Sequence, residues 1–112
     1  MCTENQLNII LKEVAETAKN TFKDKFDSAF LYGSYARGDF DNESDVDIIV
    51  IADIDKKELV KYKEPFLRLT SGLGLKYDIL ITVNLDDLKT FKEYCEVLPF
   101  YQSVLKEGVK IA

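Results

Sequence analysis

The segment G-S-Y-A-R-G-D-F-D-N-E-S-D-V-D, residues 33–47, joins two apolar runs. Ala29, Phe30, Leu31 and Tyr32 lead into Gly33-Ser34, and Val46 to Ile51 follows from Asp45. Ten residues, 35–44, separate the Gly-Ser pair from Asp45. Two acids, Asp45 and Asp47, therefore enter a strand that is otherwise apolar on both faces. Solvated acids rarely open a strand buried on both sides, so this pair needs a chemical reason.

Residues i and i+2 of a strand share a face, about 7 Å apart. Asp45 and Asp47 project side by side, and two such carboxylates repel unless a proton or a cation lies between them. Mg²⁺ prefers hard oxygen ligands and leaves room for substrate phosphates. Two such ions roughly 4 Å apart clamp the attacking and leaving oxygens of a displacement. The Gly-Ser turn supplies the other half. Gly33 lets the backbone approach a phosphate, and Ser34 Oγ with the following N–H groups can hydrogen-bond it. The residues alone thus point to metal-assisted phosphoryl chemistry.

Composition bounds the alternatives. At 112 residues the chain reads as one domain, 1–112, large enough for a single core. The net charge is −5 and no basic stripe appears, which disfavours a nucleic-acid surface. Histidine is absent, so His-based triads and His zinc sites are excluded and carboxylates are left as the catalytic groups. Cys2 and Cys95 match no metal spacing and read as free thiols of a cytoplasmic protein. No signal peptide or long apolar span is seen, so no membrane partner is expected.

Along the chain, residues 3–19 predict an amphipathic helix that opens on a Thr3/Gln6 capping box. The first strand is expected over 28–33, followed by a helical turn over 34–37 and a loop. The acids at 39, 41, 43 and 45 lack the glycine and the terminal glutamate of a calcium loop. The second strand is expected over 45–52. A short connector joining the end of one strand to the start of the next makes the pair antiparallel. A helix over 58–71 follows, interrupted or kinked at Pro65 and ended by Gly72-Leu73-Gly74. The third strand is expected over 77–83, with Asp78 at its start. A crossover of 24 residues, 53–76, is long enough to lay that strand parallel to the second. Asp78 then reaches the sheet end that carries Asp45 and Asp47. Two short helices, 85–96 and 99–106, and an edge strand over 109–112 complete an α/β fold with a small mixed sheet. The aromatic residues Phe91, Tyr94, Phe100 and Tyr101 read as core in preference to a base-stacking platform.

Gly33-Ser34, ten residues, Asp45-Val46-Asp47 and a later Asp78 resemble the nucleotidyltransferase superfamily related to DNA polymerase β. The words G-S-Y-A-R-G-D, S-D-V-D-I-I-V and L-P-F-Y…L-K-E-G-V are similar to its small prokaryotic members, the minimal nucleotidyltransferases. The resemblance covers nearly the whole chain and implies the nucleotidyltransferase fold. It also implies residue roles. Gly33 and Ser34 hold the nucleoside triphosphate, with Arg37 leaning on the phosphates or else paired with a nearby acid. Asp45, Asp47 and Asp78 bind two Mg²⁺ ions, and Asp78 draws off the acceptor's proton. The implied reaction moves a nucleoside monophosphate, AMP from ATP, to a hydroxyl. Larger relatives carry a further domain for the acceptor, whereas little of this chain follows Asp78. The acceptor is therefore expected on another chain, as a homo- or hetero-oligomer. In the minimal group that partner is a small helical protein of the HEPN type, the toxin to which the transferase is antitoxin. The rival reading is a module, catalytically weak, that neutralises a helical partner by contact.

Overall fold

The computed structural model describes residues 3–38 and 45–112. Helix α1, Glu4–Phe22, starts as the sequence predicts. Thr3 Oγ1 accepts from Gln6 N–H at 3.1 Å, and Gln6 Oε1 accepts from Thr3 N–H at 3.0 Å. Its apolar face, Ile10, Val14, Ala18 and Phe22, is buried against one side of the sheet.

The sheet has four strands in the order β3-β2-β1-β4. Strand β1, Phe26–Tyr32, pairs antiparallel with β2, Val46–Ala52. Strand β2 pairs parallel with β3, Ile81–Asp87, as the crossover length requires. The short β4, Val109–Lys110, lies antiparallel on the other edge of β1. Strand β2 is central, and five of its seven residues in a row, Ile48 to Ala52, are buried. Its alternation splits the core. Val46, Ile48 and Val50 face α1 and α4, while Ile49 and Ile51 face Phe91, Tyr101 and Val104. The latter come from α5, Leu88–Tyr94, and α6, Pro99–Glu107, which cover part of the second face.

The segment between β2 and β3 departs from expectation. Pro65 marks a break: α3, Lys56–Leu59, passes through a 3-10 turn, Val60–Tyr62, into α4, Lys63–Tyr77. The glycines at 72 and 74 do not end α4. Leu69, Leu73 and Tyr77, four residues apart, pack on the core, and this tertiary contact overrides a weak propensity. Gly74 instead permits the exit that follows. A Cβ there would lie 2.8 Å from the Ile79 carbonyl oxygen. The Ile79 N–H returns to Gly74 O at 3.1 Å. Asp78 takes the left-handed cap at φ 53, a role that aspartate tolerates better than most residues. The third strand therefore begins at Ile81, not at residue 77, and the helix after it begins at Leu88, not at 85. Asp78 is a helix cap and does not belong to the start of a strand.

Candidate active site

Three neighbouring strands bring the site residues together. Asp45 immediately precedes β2, and Asp47 is its second residue. Both belong to the face of β2 that carries Ile49 and Ile51, as the two-residue period requires. Across the sheet, Asp47 is in register with Tyr32 of β1 and with Thr82 of β3. Gly33 follows Tyr32 at φ 77, and α2, Ser34–Arg37, starts at once. The Arg37 N–H closes that turn on Gly33 O at 3.2 Å.

Gly33 and Asp47 are in close contact. A Cβ on Gly33 would sit 2.7 Å from Asp47 Oδ2. The absence of that carbon is what lets the turn press on the carboxylate. Burial, and then the negative charge of Asp45, push the Asp47 carboxyl above the usual carboxylate range. The two carboxylates therefore repel one another on hard oxygens, beside backbone free to approach an anion. That donor set suits a divalent cation that keeps open positions for phosphate oxygens.

The other expected site residues are placed less closely. Arg37 reaches α6, where Nη1 lies 3.9 Å from Glu107 Oε2. Asp78 stands at the same end of the sheet, because Val46 N–H donates to Leu80 O at 2.9 Å. Its cap position, however, sets it in a groove with Leu67, Gly74 and Leu75 of α4. Among the described residues no three acids gather in a metal-holding group. The side chain of Ser34 and residues 39–44 lie outside the described part, and so do the readings placed on Asp39, Asp41 and Ser44.

A family model described as a nucleotidyltransferase domain matches residues 11–111. The chain belongs to the nucleotidyltransferase domain family. Two relatives come from Methanocaldococcus jannaschii, and each is named as a candidate protein adenylyltransferase. One is 42% identical over 73 residues, covering 65% of this chain and 72% of the relative. The other is 31% identical over 98 residues, covering 88% and 90%. A chain of a crystal structure described as a toxin–antitoxin with AMP-PNP shares the fold at a TM-score of 0.55. It is 21% identical, with 91% of this chain and 72% of that chain covered. No helix of this nucleotidyltransferase among the described residues is long and apolar enough to cross a membrane.

The candidate site also holds Tyr32 and Asn84, which sequence reasoning passed over, and Phe100, which it read as core but which is 46% exposed. The Tyr32 ring lies beside Asp47, and its hydroxyl accepts from Asn84 Nδ2 at 2.6 Å. Burial first, and then the charge of Asp47, raise the Tyr32 hydroxyl above its ordinary value, while the Asn84 bond pulls the other way. Phe100 of α6 stands edge-on to Tyr32, with centroids 5.4 Å apart. One signal was available: antiparallel pairing of the first two strands sets Tyr32 opposite Asp47. Asn84 lay just beyond the strand expected over 77–83, which the structure carries on to Asp87.

Proposed function

We propose that this nucleotidyltransferase is a Mg²⁺-dependent adenylyltransferase that moves AMP from ATP to a hydroxyl group on a partner protein. The observation that carries this reading is the contact of Gly33 with the Asp47 carboxylate. It joins the phosphate-binding turn and the acidic pair in one site. The names of the two relatives support a protein acceptor, and the AMP-PNP complex of the structural neighbour supports an adenine nucleotide.

Asp45 and Asp47 would hold the divalent cations, and ions bound there would neutralise charge on the phosphate oxygens and on the attacking oxygen. The rest falls to this chain. The Gly33-Ser34 turn seats the β- and γ-phosphates with backbone N–H groups, and Arg37 leaves Glu107 to lean on them. The acceptor oxygen attacks the α-phosphorus, its bond to phosphorus forms, and the bond to the bridging oxygen breaks. Pyrophosphate leaves. Asp78 takes the acceptor's proton. For this, the Asp78 side chain has to turn out of the α4 groove toward Asp45.

The partner we propose is a small helical protein of the HEPN type, in a toxin–antitoxin pair in which this chain is the antitoxin. The test uses the protein purified with the proteins that accompany it, ATP labelled at the α- or γ-phosphate, and Mg²⁺. Label from the α-phosphate alone should appear on the partner. Asp45→Asn plus Asp47→Asn should abolish it. Transfer at the parent rate by that double variant sinks the site assignment. Full neutralisation of the partner by the same variant favours the contact-only reading, which the separate placement of Asp78 keeps in play.

A further inference from the structure

Three side chains on the open part of the site face form one unit next to Asp47. Asn84 is in register with Ile49, so it stands on the same face as Asp47 and one period further along β3 than Thr82. Its amide nitrogen is fixed by Tyr32 at 2.6 Å. That leaves a second N–H and Oδ1 side by side, and Asn84 itself is exposed. Phe91 and Tyr101, the neighbouring aromatic residues, are buried. Phe100 is not: it stays 46% exposed although Tyr32 and Tyr101 contact its ring at 5.4 and 5.5 Å. Tyr32 links the two, edge-on to the Phe100 ring and hydrogen-bonded to the Asn84 amide. Together they offer an open ring face for stacking and a polar edge for hydrogen bonding.

We propose that Phe100 and Asn84, ordered by Tyr32, seat the nucleobase of the triphosphate and select adenine. This rests on the nucleotidyl-transfer reading, which puts the α-phosphate at Asp47. Asn84 lies about 7 Å further along the strand direction, the separation that a ribose bridges between phosphate and base. The base stacks on Phe100. The free N–H and Oδ1 of Asn84 match the N7 acceptor and N6 donor of adenine. Guanine offers two acceptors at the same edge, so Oδ1 would face O6 without a proton between them. Tyr32 decides which end of the amide points outward, because its hydroxyl oxygen holds the nitrogen. Pyrimidines present less ring to stack. Asn84 and Phe100 are specificity-determining residues here, and Tyr32 is a positioning residue.

The experiment measures displacement of a fluorescent ATP analogue from the full chain with Mg²⁺. The competitors are ATP, GTP, CTP and inorganic tripolyphosphate. The parent should prefer ATP over GTP by about tenfold or more. Asn84→Leu should bring that ratio close to one, and so should Asn84→Asp, which lacks the donor. Both should bind tripolyphosphate as the parent does. Phe100→Ala should weaken ATP and GTP alike, by about tenfold, again without effect on tripolyphosphate. Tyr32→Phe should lower the ATP-to-GTP ratio while stacking persists. A parent with no base preference overturns the proposal. So does an Asn84 variant that keeps the preference, or a Phe100→Ala protein that binds ATP at parental strength. A parent that binds every nucleotide equally sinks the base seat alone. A parent that binds no nucleotide sinks the transferase reading with it.

Discussion

Gly33 is the residue on which the site geometry turns. Its φ of 77 favours glycine, and its Cα hydrogen occupies the space against Asp47 Oδ2. Gly33→Ala must carry a side chain in a left-handed conformation, which costs about 1–2 kcal/mol, and must push the carboxylate aside as well. We expect a folded, less stable protein whose nucleotidyl transfer falls by at least tenfold, read by thermal melting and by label transfer. Asp47→Asn should act in opposite directions on stability and activity. It removes a half-buried charge that Asp45 repels, so the metal-free protein at pH 7 should melt higher. Solvent screening limits the gain to at most about 1 kcal/mol. Transfer should be lost. A variant that melts lower than the parent in EDTA would show that the two carboxylates do not repel.

At the scale of elements, α5 depends on one carboxylate. Asp87 ends β3 and caps α5, accepting Thr90 N–H at 3.0 Å and Thr90 Oγ1–H at 2.8 Å. Burial pushes the Asp87 carboxyl up. The two Thr90 bonds outweigh it, with its own backbone N–H and Lys56 helping, and hold it below the ordinary value. The stability from this cap is therefore complete above the unfolded carboxylate value, about pH 4, and is lost as the pH falls through the lower folded value. Asp87→Ala should cost about 0.5–2 kcal/mol at pH 7 and nothing once both proteins are well below that range. Chemical denaturation at pH 7 and at successive steps below pH 4 checks this, because the difference between the two proteins should shrink at each step.

The same scale shows what the sequence could tell. The antiparallel β1–β2 pair, the parallel β2–β3 pair and the turn at Gly33 follow from run lengths and connector lengths, and all three stand. The start of β3 was not legible. Gly72 and Gly74 read as a stop, but Leu69, Leu73 and Tyr77 find the core and carry α4 through them. Asp78 read as a strand residue because the apolar run begins beside it. What places it is the close approach of Ile79 to Gly74, a contact invisible to any local pattern. In the site, the acids and the glycine were visible as chemical types out of place. Tyr32 and Phe100 were not, because an aromatic residue in an apolar run looks like core until its exposure is known.

For the whole molecule, the net charge of −5 and an acidic pair on one face favour the metal–nucleotide complex over the free nucleotide as ligand. Mg²⁺ with ATP at about a hundredfold over its dissociation constant should stabilise the fold by about 2.7 kcal/mol, roughly a 10 °C rise in Tm. EDTA should return the midpoint to that of the nucleotide-free protein. With the acceptor hydroxyl on a partner, as proposed, activity should depend on that partner, and partner-free protein should turn over ATP slowly.

One measurement bears most directly on the chemistry assigned to Gly33, Asp45 and Asp47. It is transfer of α-labelled AMP from Mg²⁺-ATP to the accompanying protein, compared between the parent and Asp45→Asn plus Asp47→Asn. The account predicts covalent label on the partner with the parent and none with the variant. Equal labelling by the two proteins would contradict it.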